Sequence, residues 1–325
     1  MIQRCLRYLP SPLLGHGFTG APIDQTPDTL KNSFFPPRPD KEESAEYYAA
    51  WEVITQLSLR CVIPEIFEER PLPETRNWAG AVLPVRQREN YDVFSIPPVG
   101  PFDAVVGSWT VPNPYPQRNN DRSYRDGEYR FYSWTGLDGW QNQVCLKIGV
   151  ESRLSVLGGV IVSRGHFPAI LIRGSSDESV RVVVLKNLPI ESGDYVTGFV
   201  WSESLATGNV GYGCIINHGT GQCSSAKIDG EEIFIEGLSA EWIGATENPT
   251  SDQHPAPDFG AMFFANGVAL HRLFRGRQVV PGRIFEESGM SRALLANAQD
   301  VNSTAKRPHT VVIHGPGWTA PPVIY

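Results

Sequence analysis

From Asn77 onward, hydrophobic and polar residues alternate with a period of two, the pattern of strands that show one face to a core and one to its surroundings. Phe102–Val111 reads as a strand ending at Pro112, and Tyr129–Trp134 as a second one followed by turn residues Gly136 and Gly139. The same alternation predicts strands over Val180–Leu185, Asp194–Trp201, Val210–Ile216, Gln222–Ile228, Ala240–Ile243, Gly260–Phe264 and, near the end, Val311–His314. Asn217-His218-Gly219-Thr220-Gly221 reads as a hairpin loop, and Asn266-Gly267 as a tight turn closing the strand before it. Short strands at regular intervals with little helix between them predict antiparallel sheets, most simply a two-sheet sandwich. Gly289–Gln299 is expected to form one short helix.

The N-terminal part has a different texture. Residues 1–39 are rich in proline and glycine and have no steady period, which predicts an arm rather than a packed unit. Gly15-His16-Gly17-Phe18-Thr19-Gly20 matches a dinucleotide-binding glycine pattern, but Pro10 and Pro12 stand where a strand should precede it and no helix pattern follows. A turn-rich loop accounts for it better. Asp40–Leu59 predicts a helix, with Asp40 as cap, Glu43 completing a capping box, and Tyr47, Tyr48, Trp51, Ile54 and Leu57 forming one apolar stripe that docks on the main body. The expected organisation is an arm and helix over residues 1–75, an all-β sandwich over 76–270, and a C-terminal extension over 271–325 packed on the sandwich.

Composition supports this picture. The 31 glycines and 27 prolines in 325 residues exceed the roughly 12% of average usage, which suits strands and turns rather than a helical bundle. With 28 basic and 35 acidic side chains the net charge is −7, so there is no basic excess for nucleic acid. No apolar run is long enough for a membrane helix. The first apolar stretch is broken by prolines and too short for a secretion signal, so a cytoplasmic location is expected. The five cysteines (Cys5, Cys61, Cys145, Cys214, Cys223) have no CxxC spacing, which indicates neither a zinc site nor a disulfide framework. The seven histidines are scattered without metal-like spacing, and His218 reads as a solvated turn residue. Neither a metal nor a cofactor is implied. Cys145 and Cys214 lie in apolar strands, where a thiol is usually an inert packing group.

What remains are carboxylates set among aromatic strands. Asp138, in Trp134-Thr-Gly-Leu-Asp-Gly139, is best read as a hydrogen-bonded turn residue. Glu241, in Ser239-Ala-Glu-Trp-Ile243, points to the face opposite Ala240 and Trp242. It is either an outer-face residue of an amphipathic strand or, if that face is a groove, a general acid or base.

At these residues the chain resembles the glutamic peptidases (eqolisins, the G1 or A4 family of fungal acid peptidases). Asn77-Trp-Ala-Gly-Ala-Val-Leu83, Phe102 to Pro112, Trp134-Thr-Gly-Leu-Asp-Gly139, Gly193-Asp194, Gly219-Thr-Gly-Gln222, Ser239-Ala-Glu-Trp-Ile243 and Asp258-Phe-Gly260 occur in the family's order, over about residues 76 to 270. The resemblance implies a concanavalin-like sandwich of two seven-stranded antiparallel sheets with a substrate groove on a concave face. It also implies a Glu that activates water and protonates the leaving amine, and a Gln whose amide holds the water and stabilises the oxyanion. Glu241 matches the Glu, and Trp134 and Asp138 match the family's site-lining Trp and Asp. The Gln position falls in Cys145-Leu-Lys-Ile-Gly149 and is occupied by Lys147. Gln143 or Gln141 would substitute only through a slip of register that an odd shift would turn to the wrong face.

An ammonium beside Glu241 would hold it as an ion pair, which a neutral amide does not do. Family members are secreted, with cysteines flanking the site; Trp140–Val144 and Phe234–Ser239 contain none, consistent with a reducing compartment. Phe167-Pro-Ala-Ile-Leu-Ile172 replaces a more polar strand, so a groove re-lined for an apolar ligand is expected. Three functions are compatible with these residues. One is an acid endopeptidase using Glu241 as base with Lys147 in place of the amide. Another is an enzyme of fungal natural-product biosynthesis that binds a small apolar or aromatic molecule and guides a cyclisation or hetero-Diels–Alder cycloaddition. The last is a non-enzymatic groove-binding module. The second is favoured because it accounts together for the missing amide, cysteines and signal. In it Glu241 and Lys147 are catalytic, and Trp134, Asp138, Trp109, Trp242, Trp140 and Gln143 line the substrate. The oligomeric state is not legible.

Overall fold

The computed structural model describes residues 17–42, 45–72, 78–84, 101–116, 118–119, 121–139, 144–173, 180–205, 208–229, 235–246, 257 and 259–272, together with short strands at 279–283, 291–293, 301–302 and 311–314. Two sheets account for most of them. The ten-stranded sheet runs, in spatial order, Thr19–Gly20, Leu59–Val62, Gln222–Asp229, Gly208–Asn217, Tyr195–Leu205, Phe102–Thr110, Ala261–Arg272, Val311–His314 and Val301–Asn302, with Val279–Arg283 also paired to Ala261–Arg272. The eight-stranded sheet runs Ser291–Ala293, Trp78–Pro84, Ser239–Thr246, Gly127–Asp138, Cys145–Leu157, Val160–Arg173, Val180–Lys186 and Glu65–Leu72. Among the described strands only Leu59–Val62 lies parallel to its neighbour, Gln222–Asp229. The sheets are larger than the seven-stranded pair the resemblance implied, because segments before residue 76 and after residue 270 add strands at the edges of both.

The two sheets pack face to face around a core to which both contribute alternate residues, among them Val105, Trp109, Val196, Val200 and Ile215 from one and Phe131, Leu137, Leu146, Ile148 and Trp242 from the other. Trp242 shows how the layers lock together. Its indole lies against Gly107 of the opposite sheet, where a Cβ would come within 2.5 Å of the ring, and its Nε1–H donates to the Val106 carbonyl at 2.8 Å. Trp109 and Trp242 therefore sit between the sheets and not in a groove. Each is at odd parity relative to the outer face of its strand, and burial of a large apolar ring in the dry layer decides its direction.

The N-terminal segment covers the other side of the ten-stranded sheet. A short helix, α1 (Pro27–Asn32), begins with Pro at its first turn and a Thr26 side chain that accepts the Thr29 N–H. Helix α2 (Ala45–Thr55) is shorter than the predicted one. Asp40 does not cap it; its Oδ1 accepts the Glu42 N–H at 2.7 Å in a separate turn, because a short acceptor satisfied two residues on favours a turn over a helix start. Trp51 and Ile54 are buried against Val106, Phe199, Cys214, Ile216, Val268 and Leu270, as the stripe predicted, whereas Leu57 lies beyond the helix and is exposed. No described helix is long and apolar enough to cross a membrane.

Two local expectations are corrected. Asn266-Gly267 is not a hairpin turn: Ala261–Arg272 is one strand, and the register against Phe102–Thr110 shifts between Ala265 and Val268. The extra residue makes a β-bulge that reverses which parity faces the inter-sheet core, Met262 and Phe264 before it and Ala269 after it. The helix expected over Gly289–Gln299 is replaced, at Ser291–Ala293, by a strand on Trp78–Pro84; a free sheet edge there outweighs local helix preference.

Candidate functional site

The outer face of the eight-stranded sheet follows from period-two alternation along its strands. On Gly127–Asp138 the face carries Tyr132, Trp134, Gly136 and Asp138; on Cys145–Leu157 it carries Cys145, Lys147, Gly149, Glu151 and Arg153; on Ser239–Thr246 it carries Ser239, Glu241, Ile243 and Ala245. Register then sets these residues in lines across the strands. Glu241 is opposite Gly136, Gly136 is opposite Lys147, and Lys147 is opposite Leu171. Glu241 and Lys147 are thus two strands apart, roughly 9.5 Å along the line, with a residue between them that has no side chain.

That vacancy lets the two charges meet. The lysine stem lies over Gly136, where a Cβ would come within 2.3 Å of Lys147 Cγ and 2.8 Å of its Cβ. Lys147 Nζ donates to Glu241 Oε2, and the Ser239 hydroxyl donates to the other carboxylate oxygen, Oε1, at 3.0 Å. Both ionic residues are nearly out of water, Lys147 at 8% and Glu241 at 3% exposure. Burial, the largest single influence on the ammonium, works to lower its pKa; the charge and hydrogen bond of Glu241, helped by the Asp138 carboxylate, outweigh this and hold Lys147 above the ordinary lysine value. The neighbouring Cys145 thiol is pushed up to about 12 by burial, so it stays a neutral packing group.

Asp138 is placed beside this pair but faces the backbone. Its Oδ2 accepts the Gly237 N–H at 2.9 Å and its Oδ1 the Leu238 N–H at 2.6 Å. It thereby ties the end of its own strand to the segment that leads into the Glu241 strand. It adopts φ 63°, a left-handed conformation that Asp tolerates better than most residues. The carboxylate is hydrogen-bonded, as expected of it, but it ends a strand and holds a loop distant in the chain rather than a local turn.

The aromatic part of the face is smaller than expected. Trp134 is there, stacked on Tyr132 with ring centroids 4.8 Å apart and planes 10° apart, and both pack with Leu171, Val182, Val184, Ile243 and Ala245. Trp109 and Trp242 are turned inward, between the sheets. Trp201 lies on the far side of the ten-stranded sheet, stacked on Tyr212. Trp140, Gln141 and Gln143 lie outside the described residues. His218, expected to be solvated, is half-buried; its Nε2 shares a hydrogen bond of 2.8 Å with Thr197 Oγ1, and burial lowers its pKa.

Sequence reasoning missed Tyr132, Gly136 and Ser239, all of which lie two residues from a named candidate and hence on its face. It also missed a second ionic group farther along the same face. Arg153 is bidentate on the fully buried Glu151, at 2.9 and 3.1 Å, and donates to Glu68 at 2.6 Å, with Phe167 beneath its guanidinium. The residues at i+4 and i+6 from Lys147 were the available signal. Among the described residues no cluster of three or more His, Cys, Asp or Glu is placed to hold a metal ion.

The Peptidase A4 family profile matches residues 76–274, a span that includes every residue of the Lys147–Glu241 site. Among curated proteins no relative matches. The fold is similar to that of Scytalido-glutamic peptidase, solved with a peptide-based transition state analogue (17% identity, 74% of this chain and 98% of that one, TM-score 0.48). It is also similar to SCP-B, a member of the Eqolisin family of peptidases (15% identity, 74% and 98%, TM-score 0.45), and to aspergilloglutamic peptidase from Aspergillus niger (19% identity, 57% and 99%, TM-score 0.38).

Proposed function

The chain belongs to the Peptidase A4 family, and from that premise we propose that its site has left peptide hydrolysis for small-molecule chemistry. In this reading a mostly apolar or aromatic substrate binds at the outer face of the eight-stranded sheet. Glu241 and Lys147 assist a cyclisation or a cycloaddition of the hetero-Diels–Alder kind, within fungal natural-product biosynthesis in the cytoplasm. The observation that carries it is the buried Lys147–Glu241 ion pair built across Gly136.

A glutamate that must take a proton from water works best with an uncommitted oxygen. Here one oxygen receives the ammonium and the other the Ser239 hydroxyl, and Lys147 stays charged. The ammonium has three N–H groups and among the described residues spends one, on Glu241, so the others are offered to polarise a substrate carbonyl or a developing oxyanion. In a site withdrawn from water such a donor is worth far more than in solution. The carboxylate keeps the donor charged and aimed. Apolar walls from Leu171, Ile243, Val182 and Trp134 suit a reaction that needs two partners held in one orientation, which by itself supplies much of the acceleration.

Two assays test this reading. Casein incubated with the purified protein at acid pH should remain intact; cleavage that disappears in Glu241→Gln would overturn the proposal in favour of a glutamic endopeptidase. In the second assay an electron-poor heterodiene and an apolar alkene are mixed with the protein. Accelerated or stereochemically biased adduct formation, lost in Lys147→Met, supports the proposal. Binding without any acceleration across a panel of such pairs would assign the site to a non-enzymatic module.

A further inference from the structure

Cys61 and Cys223 are far apart in the chain yet directly opposite each other in the fold. Leu59–Val62 is the one strand among those described that runs parallel to its neighbour, and its three paired positions put Arg60 opposite Gln222, Cys61 opposite Cys223 and Val62 opposite Ser224. Adjacent strands are about 4.8 Å apart, inside the range of about 4.4–6.8 Å that a disulfide spans between Cα atoms. The two side chains lie on the same face, under the N-terminal segment, where Cys61 packs against the cluster that contains Cys223. The register sets the two thiols side by side, close enough for each to shift the ionisation of the other. Both cysteines are free thiols.

The environments of the two sulfurs differ in a way that divides the labour. Cys61 is only partly buried, whereas Cys223 is fully buried. The neighbouring Cys223 thiol, helped by the Phe18 backbone, lowers the Cys61 pKa against the opposing effect of burial, and the same proximity, with burial, raises that of Cys223. A thiolate that water can reach is the sulfur an oxidant meets first. The third cysteine of this cluster, Cys214, is fully buried and its pKa is pushed up by burial.

We propose that Cys61 and Cys223 form a peroxide-responsive pair, Cys61 being the site of oxidation and Cys223 the resolving thiol. In the first step the Cys61 thiolate attacks an oxygen of hydrogen peroxide. An S–O bond forms, the O–O bond breaks, hydroxide leaves, and the sulfur is oxidised to a sulfenic acid as the peroxide is reduced. In the second step Cys223 sulfur attacks the sulfenic sulfur. The S–S bond forms, the S–O bond breaks, and the hydroxyl leaves as water with the proton of Cys223. The product fastens the N-terminal segment to the sheet, to which Leu59–Val62 is otherwise held by a short ladder. A cellular dithiol reverses the step by exchange.

The test treats the full chain with stoichiometric hydrogen peroxide, blocks remaining thiols with iodoacetamide, and maps disulfide-linked peptides by mass spectrometry without reduction. The expected result is one linked pair joining the peptides of Cys61 and Cys223, two hydrogens lighter than their sum, absent after dithiothreitol. A rise of roughly 5–10 °C in the thermal midpoint should accompany it, and Cys61→Ser and Cys223→Ala should each abolish both changes. The wild-type peptide map decides the matter even if the buried variant folds poorly. The proposal is overturned if Cys61 ends as a sulfinic acid or as an intermolecular dimer, if it links to Cys5 or Cys214 instead, or if no linked peptide forms.

Discussion

Lys147 reaches Glu241 only by crossing Gly136, which stands between them on one register line of the eight-stranded sheet. Three residues, each on a different strand, therefore make one device: a cation, an anion and the open lane that joins them. In a sheet, a charge two strands from its partner is normally screened by the intervening side chain. Here that side chain is missing, and the pair is sealed from water.

The lane predicts the effect of filling it. Gly136→Ala would set a Cβ within 2.3 Å of Lys147 Cγ and 2.9 Å of the Leu146 carbonyl oxygen, neither of which is the free end of a side chain. Overpacking of this kind costs about 1–3 kcal/mol, and displacement of the ammonium adds to it. Urea unfolding should show a loss of at least about 2 kcal/mol. A variant as stable as the wild type would mean that the lysine does not depend on the lane.

Removing one charge should cost more than removing both. Lys147→Met strands Glu241 in a dry site, for a loss of about 3–5 kcal/mol at neutral pH, and Glu241→Gln strands the lysine in the same way. The double variant should recover a large part of either loss. The pair also sets a pH window. Because Lys147 is held above the ordinary lysine value, its contribution is complete below about pH 10.4 and is lost only as the pH rises through the higher folded value. The stability difference between wild type and double variant should be flat through neutral pH and shrink in strong alkali.

Asp138 should behave as a clamp. Its two accepted backbone N–H groups are charge-assisted bonds, each worth about 1.5–3 kcal/mol. Asp138→Ala should therefore destabilise by about 3 kcal/mol and raise amide hydrogen exchange at Gly237 and Leu238 before the rest of the sheet. Unchanged protection at those two amides would mean that Asp138 does not hold the loop.

His166 gives an acid-side prediction independent of the candidate site. Its Nδ1 is hydrogen-bonded to Ser152 at 2.8 Å, and burial, reinforced by Arg164, lowers its pKa to about 4. Between that value and the ordinary one of about 6.5, the unfolded chain binds a proton that the folded chain does not. Stability must then fall as the pH drops through this interval. His166→Asn should flatten the fall, seen as a wild-type–variant difference in urea midpoint that changes between pH 7 and pH 4. Parallel curves would rule the imidazole out as the cause.

The sandwich was legible because alternation in long strands leaves few other ways to bury so many apolar residues, and the pairing of Lys147 with Glu241 because both fall at matched positions of a family pattern. Trp242 shows where the reading failed. It is the chain neighbour of Glu241 and therefore faces the opposite way, so grouping tryptophans by their abundance instead of by parity put it, like Trp109, in the wrong layer. Asn266-Gly267 failed for a different reason. The dipeptide suits a tight turn and a bulge equally well, and only the presence of Phe102–Thr110 as a partner selects the bulge. The opposition of Cys61 and Cys223 depends on a parallel pairing between distant segments, which no local pattern in the sequence announces.

The parallel seating of Leu59–Val62 has a consequence for biosynthesis. This segment leaves the ribosome early, but the partner it needs, Gln222–Asp229, is made only after most of the sandwich strands have emerged. Until then the edge that will pair with Gln222–Asp229 has no partner, and contacts of such long sequence separation form slowly. Shortening the chain from its C-terminal side to just before Gln222 should leave the N-terminal segment accessible to chaperones, so one of the first pieces made waits for a partner made late in synthesis.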